Sequence, residues 1–150
     1  MRRRPRKTAG RPATPAAGAL VFSLLRTAGT VEERLEAAVS PMGLSLAKLN
    51  VLRLLAEAKE PLPLSELAEI QHCVRSNITQ LIDRLESDGL VRRRADPDDR
   101  RGVLAELTPT GEQARARGMR ALADAQRGIL SGLTARDAAT LQHALDALTS

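Results

Sequence analysis

The sequence is nearly free of aromatic residues: it has one Phe and no Trp or Tyr in 150 residues. Leu, Ala and Val supply almost all of its apolar content, which suits closely packed helices better than the inner faces of a β-sandwich. A chain of this length has room for a real core and is too short for two domains of ordinary size. These features argue against an all-β fold and predict a single, mainly helical architecture.

Cysteine and histidine are scarce. Cys73 is the single cysteine, and His72 and His143 lie far apart in the sequence, so there is neither an internal disulfide nor a ligand set with zinc-site spacing. The adjacent acids Asp98 and Asp99 have no nucleophile, Gly-rich phosphate loop or metal-ligand cluster beside them, which argues against catalysis. We expect no metal, no cofactor and no enzymatic activity.

Long apolar runs are also missing, because no segment approaches the roughly 18 to 20 uninterrupted apolar residues of a membrane span. The Arg-rich start lacks a signal-peptide core of adequate length followed by a cleavage site. The sequence therefore predicts a cytoplasmic protein with no membrane partner.

Positive charge is concentrated at the start of the chain. The formal net charge is +5, and the first eleven residues carry six cations, so the remainder is close to neutral. Because prolines interrupt this segment, we expect residues 1–17 to form a disordered basic arm that binds phosphates by releasing counterions. A merely solubilising tail is the alternative.

Two helices are predicted in the first third of the chain. Apolar residues recur at helical spacing from near Ala19 until Pro41 ends the pattern. Ser45 can cap a second helix, whose leucine stripe runs out near Ala58. The Pro-rich segment 59–63 then predicts a turn.

Two short helices separated by a tight turn follow, which is the pattern of a helix-turn-helix. Ser65 is the predicted N-cap of the first, and the second begins near Arg75 after a turn through His72. Gly89 is placed to close the second helix in a left-handed conformation. In that helix, four apolar residues at positions i, i+3, i+4 and i+7 are predicted to face the core: Ile78, Leu81, Ile82 and Leu85.

The opposite face of the second helix is polar. An α-helix fits the major groove of B-DNA, where short polar side chains near its N-terminal end reach base edges and arginines pair with guanine. We therefore predict a DNA recognition helix, with an ordinary solvated helix face as the alternative. The predicted contact residues are Arg75, Ser76, Asn77, Thr79, Gln80 and Arg84.

Segments 90–94 and 103–107 predict two short strands around the charged loop 95–102, and so a β-hairpin, or wing. Arginines at its tip, Arg100 and Arg101, are placed to enter the minor groove, where negative potential favours them.

Three arginines at the base of the wing are Arg92, Arg93 and Arg94. Strand alternation sends at least one of them inward or across the sheet edge and leaves others for phosphates. We include Arg94 among the predicted DNA contacts. Protection of an edge strand against aggregation is the alternative role.

The last part of the chain predicts two more helices. Thr108 or Thr110 can start a fifth helix that continues through Ile129, and Thr134 with Asp137 resembles a capping box at the start of a final one. The expected fold is mainly α with a small β-hairpin wing.

Four motifs within residues 64–111, about a third of the chain, carry a specific resemblance. They are LSELA from residue 64, LIDRLESDGLV from residue 81, DPDDRRG from residue 96 and LTPTG from residue 107. In this order and spacing they resemble the MarR family of regulators. The resemblance implies a winged helix-turn-helix lobe at 45–109 and dimerisation helices at 18–44 and 110–150, all within a single domain at 18–150.

The resemblance also implies the partners of such a protein: a homodimer, a pseudo-palindromic double-stranded DNA operator, and a small-molecule effector bound in a crevice between the dimerisation helices and the DNA-binding lobe. The flanking helices hold more Leu, Ala and Ile than one winged lobe needs to cover itself, which favours the dimer over intrachain packing. In the wing, Asp99 and Arg101 match a family pattern in which the acid orients the arginine towards DNA.

The turn before the recognition helix departs from the family pattern. Val74 replaces the Ser or Thr cap common in the family, so Ser76 or a backbone group is expected to satisfy the first turn. Cys73 is a candidate redox sensor, since the positive end of the adjacent helix would lower a thiol pKa. An inert packing thiol is the alternative.

Together these features predict a sequence-specific transcription regulator, a repressor relieved by a small molecule or by oxidative stress. The alternative is a non-sensory architectural DNA-binding protein, in which the basic arm dominates and sequence preference is slight.

Overall fold

The computed structural model describes residues 16–71 and 75–149. Its helices are α1 (Ala17–Val39), α2 (Leu46–Ala58), α3 (Leu64–Ile70), α4 (Arg75–Ser87), α5 (Pro109–Leu130) and α6 (Ala135–Thr149), with a short 3-10 turn at Ser40–Met42. Its strands are β1 (Leu62–Pro63), β2 (Val91–Ala95) and β3 (Val103–Leu107). The prediction of a mainly α fold with a small β wing is confirmed. Of the predicted arm, residues 1–15 lie outside the described part of the chain.

The junction between α1 and α2 is fixed by local hydrogen bonds. Gly43 adopts a left-handed conformation with φ 72°, which turns the chain after α1. Ser45 accepts a hydrogen bond from Lys48 N at 3.1 Å, confirming it as the cap of α2. Glu36 of α1 adds a second cap, because its carboxylate accepts from Leu46 N at 2.9 Å. The first helix thereby sets where the second begins.

Two predictions on the segment after α2 are wrong. Leu62–Pro63 is strand β1 rather than part of a turn, and it pairs with β3 through Leu62 and Ala105. Helix α3 begins at Leu64, so Pro63 occupies the N-cap position and Ser65 lies inside the helix. The reason is that β1 runs directly into α3, which leaves no loop residue between strand and helix.

The core lies between α2, α3, α4 and the sheet. Ile78, Ile82 and Leu85 of α4 are fully buried and Leu81 is half-buried, as the helical spacing predicts. The helix closes at Gly89, whose φ is 71°. There Gly89 N donates to Glu86 O and Leu90 N to Leu85 O, both at 2.9 Å. This pair of bonds is the Schellman ending expected at such a glycine.

The wing hairpin β2–β3 belongs to a three-stranded antiparallel sheet in the order β1-β3-β2. The predicted hairpin is confirmed: its first strand begins one residue later than predicted and its second has the predicted bounds, with Val91 opposite Leu107 and Ala95 opposite Val103. The extra strand β1 covers the outer edge of β3. The wing is therefore joined to α3 as well as to α4 and α5.

Capping residues mark the last two helices. Thr108, rather than Thr110, caps α5, since its hydroxyl accepts from Gly111 N at 2.9 Å. Thr134 and Asp137 form the predicted reciprocal box: Thr134 N donates to the Asp137 carboxylate and Asp137 N to the Thr134 hydroxyl, each at 3.2 Å.

Residues 135–148 of α6 are all exposed in the protomer. No helix in the described ranges has the length and apolar character needed to cross a membrane.

Candidate nucleic-acid interface

Helix α4 presents a polar face at its N-terminal end. Ser76, Asn77, Gln80 and Arg84 are exposed and Thr79 is half-buried. Arg75 is the first residue of the helix, and its side chain is outside the described part. The structure thus brings the described members of the predicted contact set together on the face opposite the core.

The turn that precedes α4 falls in residues 72–74, which lie outside the described part of the chain. The role of Cys73 as a redox sensor and the effect of Val74 on the helix start therefore stay predictions.

The tip of the wing is shaped by two aspartates. Asp96 accepts a hydrogen bond from Asp98 N and Asp99 accepts one from Arg101 N, each at 2.9 Å. The acid of the Asp-x-Arg pattern thus holds the main chain of Arg101 and fixes where its side chain leaves the loop. Arg100 and Arg101 are both exposed.

The exposed arginines at the base of the wing face Glu106 of β3. Arg92 donates to its carboxylate at 2.7 Å, and Arg94 lies 3.6 Å from it. Hydrogen bonding from Arg92 is the main cause that lowers the pKa of Glu106, despite the opposing effect of burial. Arg94 keeps a guanidinium that is 57% exposed, as a phosphate contact requires.

Arg93 points the other way, onto α4, which confirms that one arginine of the three turns inward. Its guanidinium meets the carboxylates of Asp83 and Glu86 at 2.5 and 2.7 Å. Burial lowers the pKa of Arg93, but hydrogen bonds to these two acids outweigh it and raise the pKa overall. Sequence reasoning missed both partners. Their spacing with Thr79, at i, i+4 and i+7, was the signal that could have found them.

The wing and its base enclose a shallow, open concavity of about 380 Å³, whose lining includes Arg93, Arg94, Arg100 and Arg101. A concave surface lined by arginines attracts phosphates and other anions. Within residues 16–71 and 75–149, no group of three or more His, Cys, Asp and Glu side chains is placed to hold a metal ion.

Comparison with known proteins identifies the family. Residues 44–103 match the model of the MarR family. The multiple antibiotic resistance protein MarR of Salmonella typhimurium is 32% identical over 111 residues, which cover 71% of this chain and 74% of that protein. The chain belongs to the MarR family. The resemblance carried by the four sequence motifs is thereby confirmed.

The match to a second relative is shorter. The HTH-type transcriptional repressor YetL of Bacillus subtilis is 35% identical over 94 residues, which cover 62% of this chain and 56% of YetL. The chain thus spans little more than half the length of that relative.

Solved structures share the fold over most of this MarR-family chain. A MarR-family regulator from Rhodococcus sp. RHA1 superposes with a TM-score of 0.75 at 26% identity, covering 91% of this chain and 96% of its own. A mutant E. coli MarR complexed with operator DNA has a TM-score of 0.73 at 26% identity, and the match covers 91% of this chain and 100% of that one. CouR of Rhodococcus jostii RHA1, bound to p-coumaroyl-CoA, has a TM-score of 0.70 at 29% identity, and the match covers 86% of this chain and 90% of CouR.

Proposed function

We propose that this protein is a sequence-specific DNA-binding transcription regulator, which acts in the cytoplasm and represses genes by occupying their operators. The observation that carries the proposal is the junction of two DNA-reading surfaces: the polar face of α4 and the arginine-rich wing are joined by Arg93. The proposal is supported by the similar structure of a mutant E. coli MarR complexed with operator DNA. A regulator of this kind performs no catalysis.

Each surface suits one groove. The exposed side chains of Ser76, Asn77 and Gln80 offer short donors and acceptors to base edges in the major groove. Arg101 projects from a tip that Asp99 holds in place, and an arginine on such a tip fits the narrow minor groove. Arg84, Arg94 and Arg100 are assigned to phosphates and to the flanks of the site.

A homodimer supplies the second recognition helix that an operator of about two half-sites requires. The proposed dimerisation helices leave large apolar side chains exposed in the protomer, which supports an interface there. On α1, at the end of α5, in the following turn and on α6, these side chains are Leu20, Val21, Phe22, Leu24, Leu25, Leu130, Leu133, Leu141, Leu145 and Leu148.

Release from DNA is assigned to a small-molecule effector. An open cavity of about 480 Å³ lies where α2, β3 and the start of α5 meet, lined among others by Leu55, Lys59, Leu107 and Arg115. It lies between the DNA-binding lobe and the start of α5, which is one of the proposed dimerisation helices. CouR is a relative with a bound ligand. An effector works only if it binds the DNA-incompetent arrangement more tightly than the competent one.

The proposal is tested by selecting bound duplexes from a random or genomic DNA pool at fixed salt. We expect a pseudo-palindromic site of about 16 to 20 base pairs. Arg101→Ala should weaken binding to it roughly tenfold. Arg120→Ala, which removes an exposed arginine of α5 outside the proposed DNA-contacting surfaces, should leave the site and its affinity nearly unchanged.

The same selection separates the regulator from an architectural protein. Binding without a motif, insensitive to Arg101→Ala and lost as salt is raised, would favour the architectural function. Deleting residues 1–12 should then abolish binding, whereas for a regulator it should only weaken binding to the selected site.

A further inference from the structure

One side chain connects the wing to the recognition helix. Arg93 lies in β2, and its guanidinium bridges the Asp83 and Glu86 carboxylates of α4 at 2.5 and 2.7 Å. It also donates to the carbonyl oxygen of Thr79 at 3.3 Å, while its backbone N–H donates to Glu86 at 3.1 Å. Two elements that read different grooves are thus joined by four contacts from one residue.

The three partners form one stripe along α4. Thr79, Asp83 and Glu86 follow at intervals of four and three residues, so they lie on the same side of the helix over two turns. The Arg93 side chain is only 25% exposed. The Arg93 guanidinium is therefore more shielded from solvent than that of Arg92, which is 64% exposed, while its partners Asp83 and Glu86 are 56% and 40% exposed.

The arrangement also decides the charge of the helix face. Asp83 and Glu86 are carboxylates on the helix that enters DNA, where they would repel phosphates. The single positive charge of the Arg93 guanidinium offsets one of these two negative charges, and the guanidinium is held by the acids rather than left free to bind phosphate. Arg92 and Arg94 pair with Glu106 inside the hairpin, and in the described part of the chain they form no ion pair with another element.

We propose that Arg93 is a positioning residue that holds the wing and the recognition helix as one rigid reading unit. The major-groove contacts of α4 and the minor-groove contact of Arg101 are then made together, because the position of one fixes the other. This inference rests on the proposed function for its effect on DNA binding, but the coupling itself is a property of the protein alone.

The coupling is tested first without DNA, by amide hydrogen exchange in the full chain. In Arg93→Ala, amides of residues 91–107 should exchange roughly tenfold faster or more, while the buried turns of α2 keep their protection. Arg92→Ala is the matched control, since it removes the neighbouring arginine and an ion pair that stays within the hairpin. Unchanged wing exchange in Arg93→Ala, or an equal change in both variants, would overturn the inference.

The consequence for DNA is tested by a double-mutant cycle on the selected operator. Arg101→Ala should weaken binding roughly tenfold in the unmodified protein and about twofold or less in the Arg93→Ala background. In the Arg92→Ala background the effect of Arg101→Ala should stay near tenfold. Equal effects in all three backgrounds would show that wing and helix act independently and would overturn the inference.

Two further variants separate geometry from charge. Arg93→Lys keeps the positive charge, but a single ammonium does not reproduce the planar fork that bridges both acids, so it should restore little of the coupling. Glu86→Ala removes a negative charge near DNA, and electrostatics alone predicts tighter binding; the coupling predicts instead that the effect of Arg101→Ala shrinks. Full coupling in Arg93→Lys would contradict the geometric role.

If Arg101→Ala has no effect in the unmodified protein, the proposed function fails, and hydrogen exchange still decides the coupling.

Discussion

Gly111 is the residue whose lack of a side chain the fold most requires. It is buried in the first turn of α5, and a Cβ there would lie 2.0 Å from the carbonyl oxygen of Leu90 and 2.9 Å from a methyl of Leu107. The Leu90 carbonyl in turn accepts from Thr108 N at 3.2 Å. Backbone of the wing base and of α5 thus meet where only glycine fits.

We therefore expect Gly111→Ala to lower the free energy of unfolding by about 2–3 kcal/mol, because backbone must shift to admit a methyl group. Urea unfolding measures this as a lower midpoint at constant slope. Gly128→Ala is the control on the same helix: nothing lies within 4 Å of its added Cβ. It should raise stability by about 0.5–1 kcal/mol. An unchanged midpoint in Gly111→Ala would contradict this close approach.

At the same scale, side-chain burial was predictable where it follows helical periodicity and not where it depends on a distant element. The inward set of α4, including Ile78 and Ile82, follows from spacing alone. The partners of Arg93 did not follow, since Asp83 and Glu86 lie across a turn on another element. The contact with the Leu90 carbonyl that makes Gly111 necessary was likewise invisible, because the sequence carries no sign of which backbone atoms approach each other.

At the scale of elements, the start of α6 depends on a carboxylate. Hydrogen bonds from the hydroxyl and then the backbone N–H of Thr134 lower the pKa of Asp137 below its ordinary 3.8. A lowered pKa means that the folded helix favours the ionised form. The stabilisation is therefore complete above pH 3.8 and is lost as pH falls through the lower, folded pKa.

We expect NMR titration to place the pKa of the Asp137 carboxyl below 3.8. In Thr134→Val the pKa should rise toward that value, because the hydroxyl donor is removed while the backbone N–H of residue 134 still donates. The start of α6 should fray over the same acidic range. Thr140→Val, which removes a hydroxyl bonded to the Arg136 carbonyl on the same helix, should leave the Asp137 pKa in place. An ordinary pKa for Asp137 in the unmodified protein would show that the capping box does not persist in solution.

Element boundaries were predictable to the extent that they are decided locally. The caps at Ser45 and Thr134 were found because a side chain bonds to backbone three residues away. Strand β1 was missed because two residues carry no alternation, and its pairing partner Ala105 is supplied by the far strand of the wing. Once β1 is present, Pro63 takes the cap position of α3, so the error at Ser65 follows from the missing strand.

At the scale of the whole molecule, the protomer leaves one part of its apolar surface uncovered. Leu141, Leu145 and Leu148 follow at intervals of four and three residues along α6 and are 44%, 38% and 65% exposed. Residues 18–28 of α1 are also exposed, and none of them packs into the core. An apolar stripe on a helix that the protomer does not cover is what a partner subunit buries.

Leu145→Glu should therefore convert the protein from a dimer to a monomer at micromolar concentration, because it places a charge within the proposed interface. Sedimentation measures the change. Affinity for the selected operator should fall by roughly tenfold or more, since two recognition helices would no longer bind as one molecule. His143→Glu introduces the same charge on the opposite side of α6 and should leave the dimer intact. If the unmodified protein sediments as a monomer, the apolar stripe has another occupant, and recognition of a two-fold operator loses its structural basis.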